Sequence, residues 1–276
     1  MPLRVVELTR AAEHHELAAL FVRVWRADAD VLPASTMTAI ALSGGYVAGA
    51  YEGDRLVGGG VGFLGRDHLH SDLVGVDPGA QSKGVGYAVK QHQRQWCAQR
   101  GIPEVRWTFD PLVARNAYFN LHRLGARAVA YLPDFYGTLS DGVNAGDRTD
   151  RLYLHWSTVD TVDTVDVSTT EAPAVGNATV AVDRIGGEPV VGPVARFDGR
   201  SASSRAEDVM LVAVPTDIEA VRRDDPELAR RWRRAVGEVL PAALDAGYRI
   251  EGVSKDGFYT LRYVLYSFQI NGDAQP

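Results

Sequence analysis

Val76-Asp77-Pro78-Gly79-Ala80-Gln81-Ser82-Lys83-Gly84-Val85-Gly86 is the stretch on which the fold turns. It follows an apolar run, Leu73 to Val76, and it opens a helix. Val85, Val89, His92 and Trp96 recur at helical spacing, with Lys90, Arg94 and Arg100 on other sides. Gly101 and Pro103 then stop the helix. A strand therefore runs into a glycine-bearing turn, and the turn runs into a helix N-terminus. The first amides of a helix have no acceptor within it, and the helix dipole adds partial positive charge. Such a place binds phosphate. Gly84 and Gly86 carry no side chains, so a pyrophosphate can approach the backbone closely.

The glycine pattern narrows the ligand. Lys83 precedes Gly84 and no Gly-Lys-Ser/Thr follows, so this is not a Walker loop. The dinucleotide fingerprint G-x-G-x-x-G fails at Val89. What stands here is Q-x-x-G-x-G after V-x-P, formed by Gln81, Gly84 and Gly86 behind Val76 and Pro78. This resembles the coenzyme A loop of the GNAT acyltransferase superfamily.

The flanking sequence agrees with that order of elements. Upstream, Arg4 to Leu8 is predicted as a strand, Glu16 to Trp25 as an amphipathic helix, and Tyr46–Tyr51 with Leu56–Leu64 as a hairpin. Downstream, Glu104 to Phe109 alternates as a strand until Asp110-Pro111 breaks it. Ala114 to Ala126 is predicted as a short helix ending at Gly125, followed by strands at Ala128–Leu132 and Arg151–Trp156. Within the superfamily the chain resembles a group of predicted acyltransferases. Its signature here is Trp107-Thr108-Phe109-Asp110-Pro111, then Arg115-Asn116-Ala117 through Phe119-Asn120 to Leu124-Gly125-Ala126, then Tyr136-Gly137. The resemblance implies an α/β (α+β) GNAT fold, a mixed twisted sheet flanked by helices.

Three regions are expected. Residues 1–156 form the acyl-CoA-binding catalytic domain, residues 157–208 a linker or irregular segment, and residues 209–270 a C-terminal β-α-β-β subdomain resembling half a GNAT unit. The linker reading rests on the Thr-Val-Asp repeats at 158–166 and on Val-rich pieces between Gly and Pro up to Glu207. Asn177-Ala178-Thr179 is a chance sequon without a secretory route. Val209–Val214 is a strand, and Asp225-Pro226-Glu227 starts a helix whose apolar face carries Leu228, Trp232, Val236, Val239 and Ala243. Tyr248–Val253 and Phe258–Phe268 are strands. Arg230, Arg231, Arg233 and Arg234 are read as a solvated helix face rather than an anion site.

Composition sets outer bounds. The chain has 276 residues, 46% hydrophobic and 23% charged, which is enough for one large or two ordinary domains. A net charge of −6 argues against general nucleic-acid binding. Cys97 is the only cysteine, so no intrachain disulfide is available, and mid-helix it is a core or boundary residue. No apolar stretch is long enough to span a bilayer and no signal peptide opens the chain, so a cytoplasmic protein without a membrane partner is expected.

The reaction implied by the resemblance is direct transfer of an acetyl or other short acyl group, through a tetrahedral intermediate. The donor is acetyl-CoA or another acyl-CoA, with no metal, and the acceptor is a small-molecule primary amine. Main-chain donors near Val74 to Val76, where the family's fourth strand splays from its fifth, face the oxyanion. Gln81, Ser82, Lys83, Gly84, Val85 and Gly86 cradle the pyrophosphate, and Asn116 and Phe119 touch the pantetheine arm. From the sequence itself, Asp72 and His70 lie two apart on one strand face, which makes them candidates for the base. Glu104 is a second candidate, and His122 is read as structural or exposed. The chain departs from the family at the acid: Leu121 stands where many members carry Tyr. Tyr118 is the substitute candidate, with Tyr131 and Tyr136 behind it; thiolate release without an acid is the other option. Gly58-Gly59-Gly60 either makes room for substrate or lets backbones pack. A non-catalytic acyl-CoA sensor and a protein N-acyltransferase are the competing functions, and a monomer or homodimer is expected.

Overall fold

The computed structural model describes residues 2–137, 147–159, 178–192 and 209–264. The chain packs as two units. The first holds residues 2–108 and 154–159; the second holds 109–137, 147–153, 178–192 and 209–264. Residues 109–137 and 147–153, expected within the first domain, pack in the unit that also holds the C-terminal region.

The first unit begins β1 (Leu3–Glu7), α1 (Ala11–Trp25), α2 (Ala34–Leu42), β2 (Tyr46–Glu52), β3 (Arg55–Leu64) and β4 (His68–Val76). A short 3₁₀ turn (Pro78–Ala80), α3 (Val85–Gln99) and β5 (Glu104–Phe109) follow. Strands β1 to β4 are antiparallel neighbours and β4 pairs β5 in parallel, so the sheet is mixed. α2 falls in a stretch without a sequence signal strong enough to predict it.

Strand alternation splits the core between the two faces of this sheet. Leu17, Leu20 and Phe21 of α1 and Met37 of α2 cluster with Val47, Leu56 and Val61. Val85 and Val89 of α3 cluster with Ala50 and Val57, against Val74 and Val76. Burying each of the larger side chains contributes about 1.5–3 kcal/mol. The Gly58-Gly59-Gly60 question resolves as packing. A Cβ on Gly58 would lie 2.7 Å from Val85 Cγ1, one on Gly59 2.5 Å from Leu17 Cδ1, and one on Gly60 3.1 Å from Val89 Cγ1. Both helix layers sit down on β3 because it has no side chains there.

The second unit carries α4 (Ala114–Ala117), which opens into a π-helical turn (Tyr118–Arg123) rather than the plain helix expected. Gly125 still ends it, at φ +71°. Then come β6 (Arg127–Leu132) and β7 (Arg151–Ser157), whose last residues belong to the first unit. β8 (Ala178–Ile185) and β9 (Glu188–Val191) form a hairpin where a linker was expected. Gly186 and Gly187 both have positive φ, at +61° and +89°, which is what a tight two-residue hairpin turn requires. β10 (Val209–Ala213), α5 (Ile218–Asp224), α6 (Pro226–Asp245), β11 (Tyr248–Val253) and β12 (Phe258–Tyr263) complete the chain. The second sheet has the order β11-β12-β10-β8-β9. The sequon Asn177 and residues 160–166 of the Thr-Val-Asp repeats lie outside the described residues.

The start of α6 is as expected: the Asp225 carboxylate accepts from the Leu228 amide at 2.9 Å, with Pro226 in the first turn. Its arginines are not all solvated. Arg230 pairs with Glu227 and Arg231 with Glu188 at the surface, but Arg233 is 2% exposed. Its guanidinium meets Asp110 at 2.8 Å and Asp147 at 2.9 Å, and Arg222 bonds the same two carboxylates. Burial alone would raise the Asp110 carboxyl, but Arg233 and Arg222 hold it well below the ordinary carboxylate range. Among the described residues no helix is long and apolar enough to cross a membrane.

Candidate active site at the end of strand β4

β4 and β5 pair only through His68↔Glu104, Leu69↔Val105 and His70↔Arg106. Both strands continue past that point, β4 to Val76 and β5 to Phe109, without further pairing. On its other side β4 stays paired with β3, but the register slips: Val61 faces Leu73 and Gly62 faces Ser71. Asp72 is the extra residue of this β-bulge. A bulge bends its strand and raises the local twist, so it re-aims everything beyond it. The parting of the strands and the bulge are two views of one distortion.

Beyond the opening, β4 delivers the turn. Asp77 fixes its geometry: Oδ1 accepts from the Gly79 amide at 2.9 Å and from Arg55 Nη2 at 3.0 Å. Ser82 and Gly84 take left-handed backbone, at φ +64° and +80°. A Cβ on Gly84 would meet nothing within 4 Å, and one on Gly86 only Val76 Cγ2 at 3.5 Å. The first helical bond of α3 is Ala88 N–H to Gly84 O at 2.9 Å, so the amides of Val85 and Gly86 precede the ladder. A bare, left-handed, exposed turn ahead of a helix start fits the diphosphate of a nucleotide cofactor. The parted strands beside it fit an arm laid along β4.

The structure brings Val74, Val76 and Val85 into one apolar cluster, and Gln81 to Gly86 run from the turn into the start of α3. His70 is half-buried against Phe63, with ring centroids 6.5 Å apart, and burial lowers its pKa. Burial raises the pKa of Asp72, which makes its carboxylate a stronger base. The alternation that puts these two on one face runs through the bulge, so strict period-two geometry does not relate them. Glu104 is committed elsewhere: its carboxylate accepts from Arg106 at 2.8 Å and lies 3.3 Å from His155. Asn116, Tyr118 and Phe119 belong to the second unit. Asn116 is exposed on α4, Tyr118 stacks on His122 at 4.6 Å, and Phe119 is half-buried. Tyr131 donates to buried Asp150 at 2.7 Å, and burial and that bond push its pKa up, so it is held as a structural phenol.

Sequence reasoning missed the polar group under the opening. Lys90, set off the apolar stripe of α3 by periodicity, is 4% exposed. Its Nζ donates to Ser71 Oγ at 2.8 Å and to Gln93 Oε1 at 3.3 Å, and lies 3.7 Å from the Trp107 ring centroid. The usable signal was a second stripe at helical spacing, Gly86, Lys90, Gln93 and Cys97, of which Lys90, Gln93 and Cys97 are buried. A separate cavity of about 350 Å³, lined by Gly65, Asp67, His68, Trp96 and Arg100 among others, touches none of the candidate residues.

A family model described as the acetyltransferase (GNAT) family matches residues 11–125. No curated protein matches the chain. Among solved structures, the chain is similar to the ribosomal-protein-S18-alanine N-acetyltransferase from Escherichia coli. That match has 14% identity, covers 59% of this chain and 99% of that one, and has a TM-score of 0.48. A second is yncA, a putative acetyltransferase from Salmonella typhimurium solved with its cofactor acetyl-CoA, at 16% identity, 58% and 96% coverage and a TM-score of 0.47. A third is an aminoglycoside 6'-N-acetyltransferase complexed with coenzyme A, at 14% identity, 58% and 99% coverage and a TM-score of 0.45. The parted strands and the glycine turn both fall within residues 11–125, the stretch that matches the GNAT acetyltransferase family model.

Proposed function

We propose that the chain is an acyl-CoA-dependent N-acyltransferase, moving an acetyl or other short acyl group to a primary amine of a small molecule. The observation that carries this is the separation of β4 from β5 after His70 and Arg106, directly upstream of the Gly84–Gly86 turn. In this reading Gln81, Ser82, Lys83, Gly84, Val85 and Gly86 hold the diphosphate through backbone amides and the helix start. The arm of the cofactor takes the place β5 vacates along Val74 to Val76. Bound acyl-CoA supplies an activated carbonyl; the protein supplies position, main-chain donors toward that carbonyl oxygen, and a base. Asp72 is the favoured base, because its burial raises its affinity for a proton.

One observation favours a sensor that binds acyl-CoA without turnover: Leu121 is buried apolar at the position where the family resemblance puts a tyrosine. Calorimetric titration with acetyl-CoA and succinyl-CoA tests the shared core of both readings. Wild type should bind in the micromolar range and Gly84→Trp/Gly86→Trp should not. A folded wild type that binds neither compound refutes both. An amine screen following thiol release then separates enzyme from sensor.

A further inference from the structure

A buried ammonium group lies where β4 and β5 part. His70↔Arg106 is the last pair of the two strands, and Ser71 and Trp107 are the next residue on each. Lys90 touches both of them, so its side chain spans the apex of the opening. Its partners are a hydroxyl, an amide oxygen and an indole ring. Among the described residues no carboxylate pairs with it. A buried cation without a counter-ion is expensive, and a methionine would fill the same space without that penalty. A purely structural wedge therefore gives no reason for a lysine.

Two further groups there are unused. Ser71, 4% exposed, accepts from Lys90, and its own O–H has no acceptor among the described residues. Gln93 is fully buried and its Nε2 has no partner among them either. The titratable groups near Lys90 are His70 on β4 and Cys97 on its own helix; β5 presents only the Trp107 ring. Burial lowers His70 and pushes the Cys97 thiol up to about 12, so near neutrality both face Lys90 uncharged. Burial brings Lys90 itself down to about 7.

We propose that Lys90, acting through Ser71, is the cation that stabilises the thiolate departing from acyl-CoA at the β4/β5 opening. This rests on the acyl-transfer reading above. The attacking amine forms the N–C bond with its lone pair, and the C–S bond breaks with its pair going to sulfur. The thiolate accepts a hydrogen bond from the Ser71 hydroxyl, whose Oγ accepts from the Lys90 ammonium. Lys90 keeps its proton throughout, and the thiolate is the counter-ion it otherwise lacks. The proton shed by the attacking amine passes to solvent through the base, and the thiolate takes one from solvent once it leaves. Lys90 is a positioning residue here, and Ser71 is the group that meets the sulfur.

The test uses the full chain with two probes, coenzyme A and desulfo-coenzyme A, and reads the thiolate absorbance of the bound thiol against pH. In wild type, bound coenzyme A should ionise at lower pH than free coenzyme A, with the thiolate fraction near neutrality raised about tenfold or more by the adjacent cation. Lys90→Met should return the titration to that of free coenzyme A. Ser71→Ala should shift it part of the way, and Ser71→Thr should restore it. Identical titrations in wild type and Lys90→Met, with both proteins binding, overturn the proposal. If Lys90→Met does not fold, Lys90→Arg decides: a permanent cation must keep the thiol ionised early, and failure to do so refutes the assignment. A wild type that binds neither probe refutes the acyl-CoA reading itself, and this inference with it.

Discussion

Replacing Lys90 by Met should change how the stability of the protein depends on pH, whatever the reaction. In the fold the ammonium is desolvated, and its pKa falls from near 10.5 to about 7. The unfolded chain keeps the ordinary value, so between these two pH values it binds more protons than the native state. Stability must then rise with pH through that window, by at most about 1.4 kcal/mol per pH unit. Below pH 7 lysine is charged in both states, and the fold carries the full burden of roughly 5 kcal/mol. Measured against Lys90→Met, wild type should gain about 2–3 kcal/mol between pH 6 and pH 9. Urea denaturation of both proteins at several pH values reads this directly, and comparing them cancels the other titrating groups. Parallel curves would show that Lys90 keeps an ordinary pKa in the fold, and would refute the assignment of a buried, uncompensated ammonium.

Four further outcomes follow from the structure. Arg233→Met strands Asp110 and Asp147 beside Arg222 alone and should destabilise the second unit by about 3–5 kcal/mol in chemical denaturation. Because Asp110 titrates below the ordinary carboxylate range, its stabilisation is present above that range and is lost as pH falls through its folded value, so Asp110→Asn should flatten the acid limb. Gly59→Ala should cost about 1–3 kcal/mol, since the new methyl would lie 2.5 Å from Leu17 Cδ1 and 2.7 Å from the Ala48 carbonyl oxygen; an unchanged melting temperature would revive the idea of open space at β3. Gly84→Ala meets no atom but must hold φ near +80°, so it should cost about 1–2 kcal/mol of stability and weaken acetyl-CoA binding measured by calorimetry.

What the sequence disclosed was periodic or punctuated. The strand-turn-helix around Gly84 was legible because its apolar run and its glycines act locally, and β2, β3, β5 and α6 were legible for the same reason. The bulge at Asp72 was not, because a one-residue register slip leaves no mark on composition and alters only which residue faces which. The parting of β4 from β5 is likewise a property of two segments separated by a helix. β8 and β9 were hidden by valines scattered among Gly and Pro, although Gly186-Gly187 was a hairpin signal in plain view. Arg233 was misplaced because four arginines within one and a half turns look like a solvated face. Only Asp110 and Asp147, distant in sequence, reveal that one of them is buried.

Lys90 shows how the packing at β3 leads to the chemistry proposed at β4. Glycines at 58 and 60 let Val85 and Val89 settle directly on β3, which brings α3 close to the sheet. Lys90 follows Val89 by one residue, about 100° further round the helix, and so projects toward the next strands over, β4 and β5. Had those strands stayed paired, a ladder of hydrogen bonds would continue past Ser71 and Trp107. Instead the slip at Asp72 frees β4 from β5 at that level, and the ammonium has a hydroxyl on one strand and an indole on the other. A side chain on β3 at Gly60 would lift α3 by pressing on Val89, and would withdraw Lys90 from Ser71 without touching either residue. Gly60→Ala, where the added Cβ would sit 3.1 Å from Val89 Cγ1 and 3.2 Å from Val74 Cγ2, should therefore shift the pH dependence toward that of Lys90→Met while leaving the lysine in place. A Gly60→Ala protein that is less stable but keeps the wild-type pH dependence would show that the burial of Lys90 does not depend on how closely α3 approaches β3.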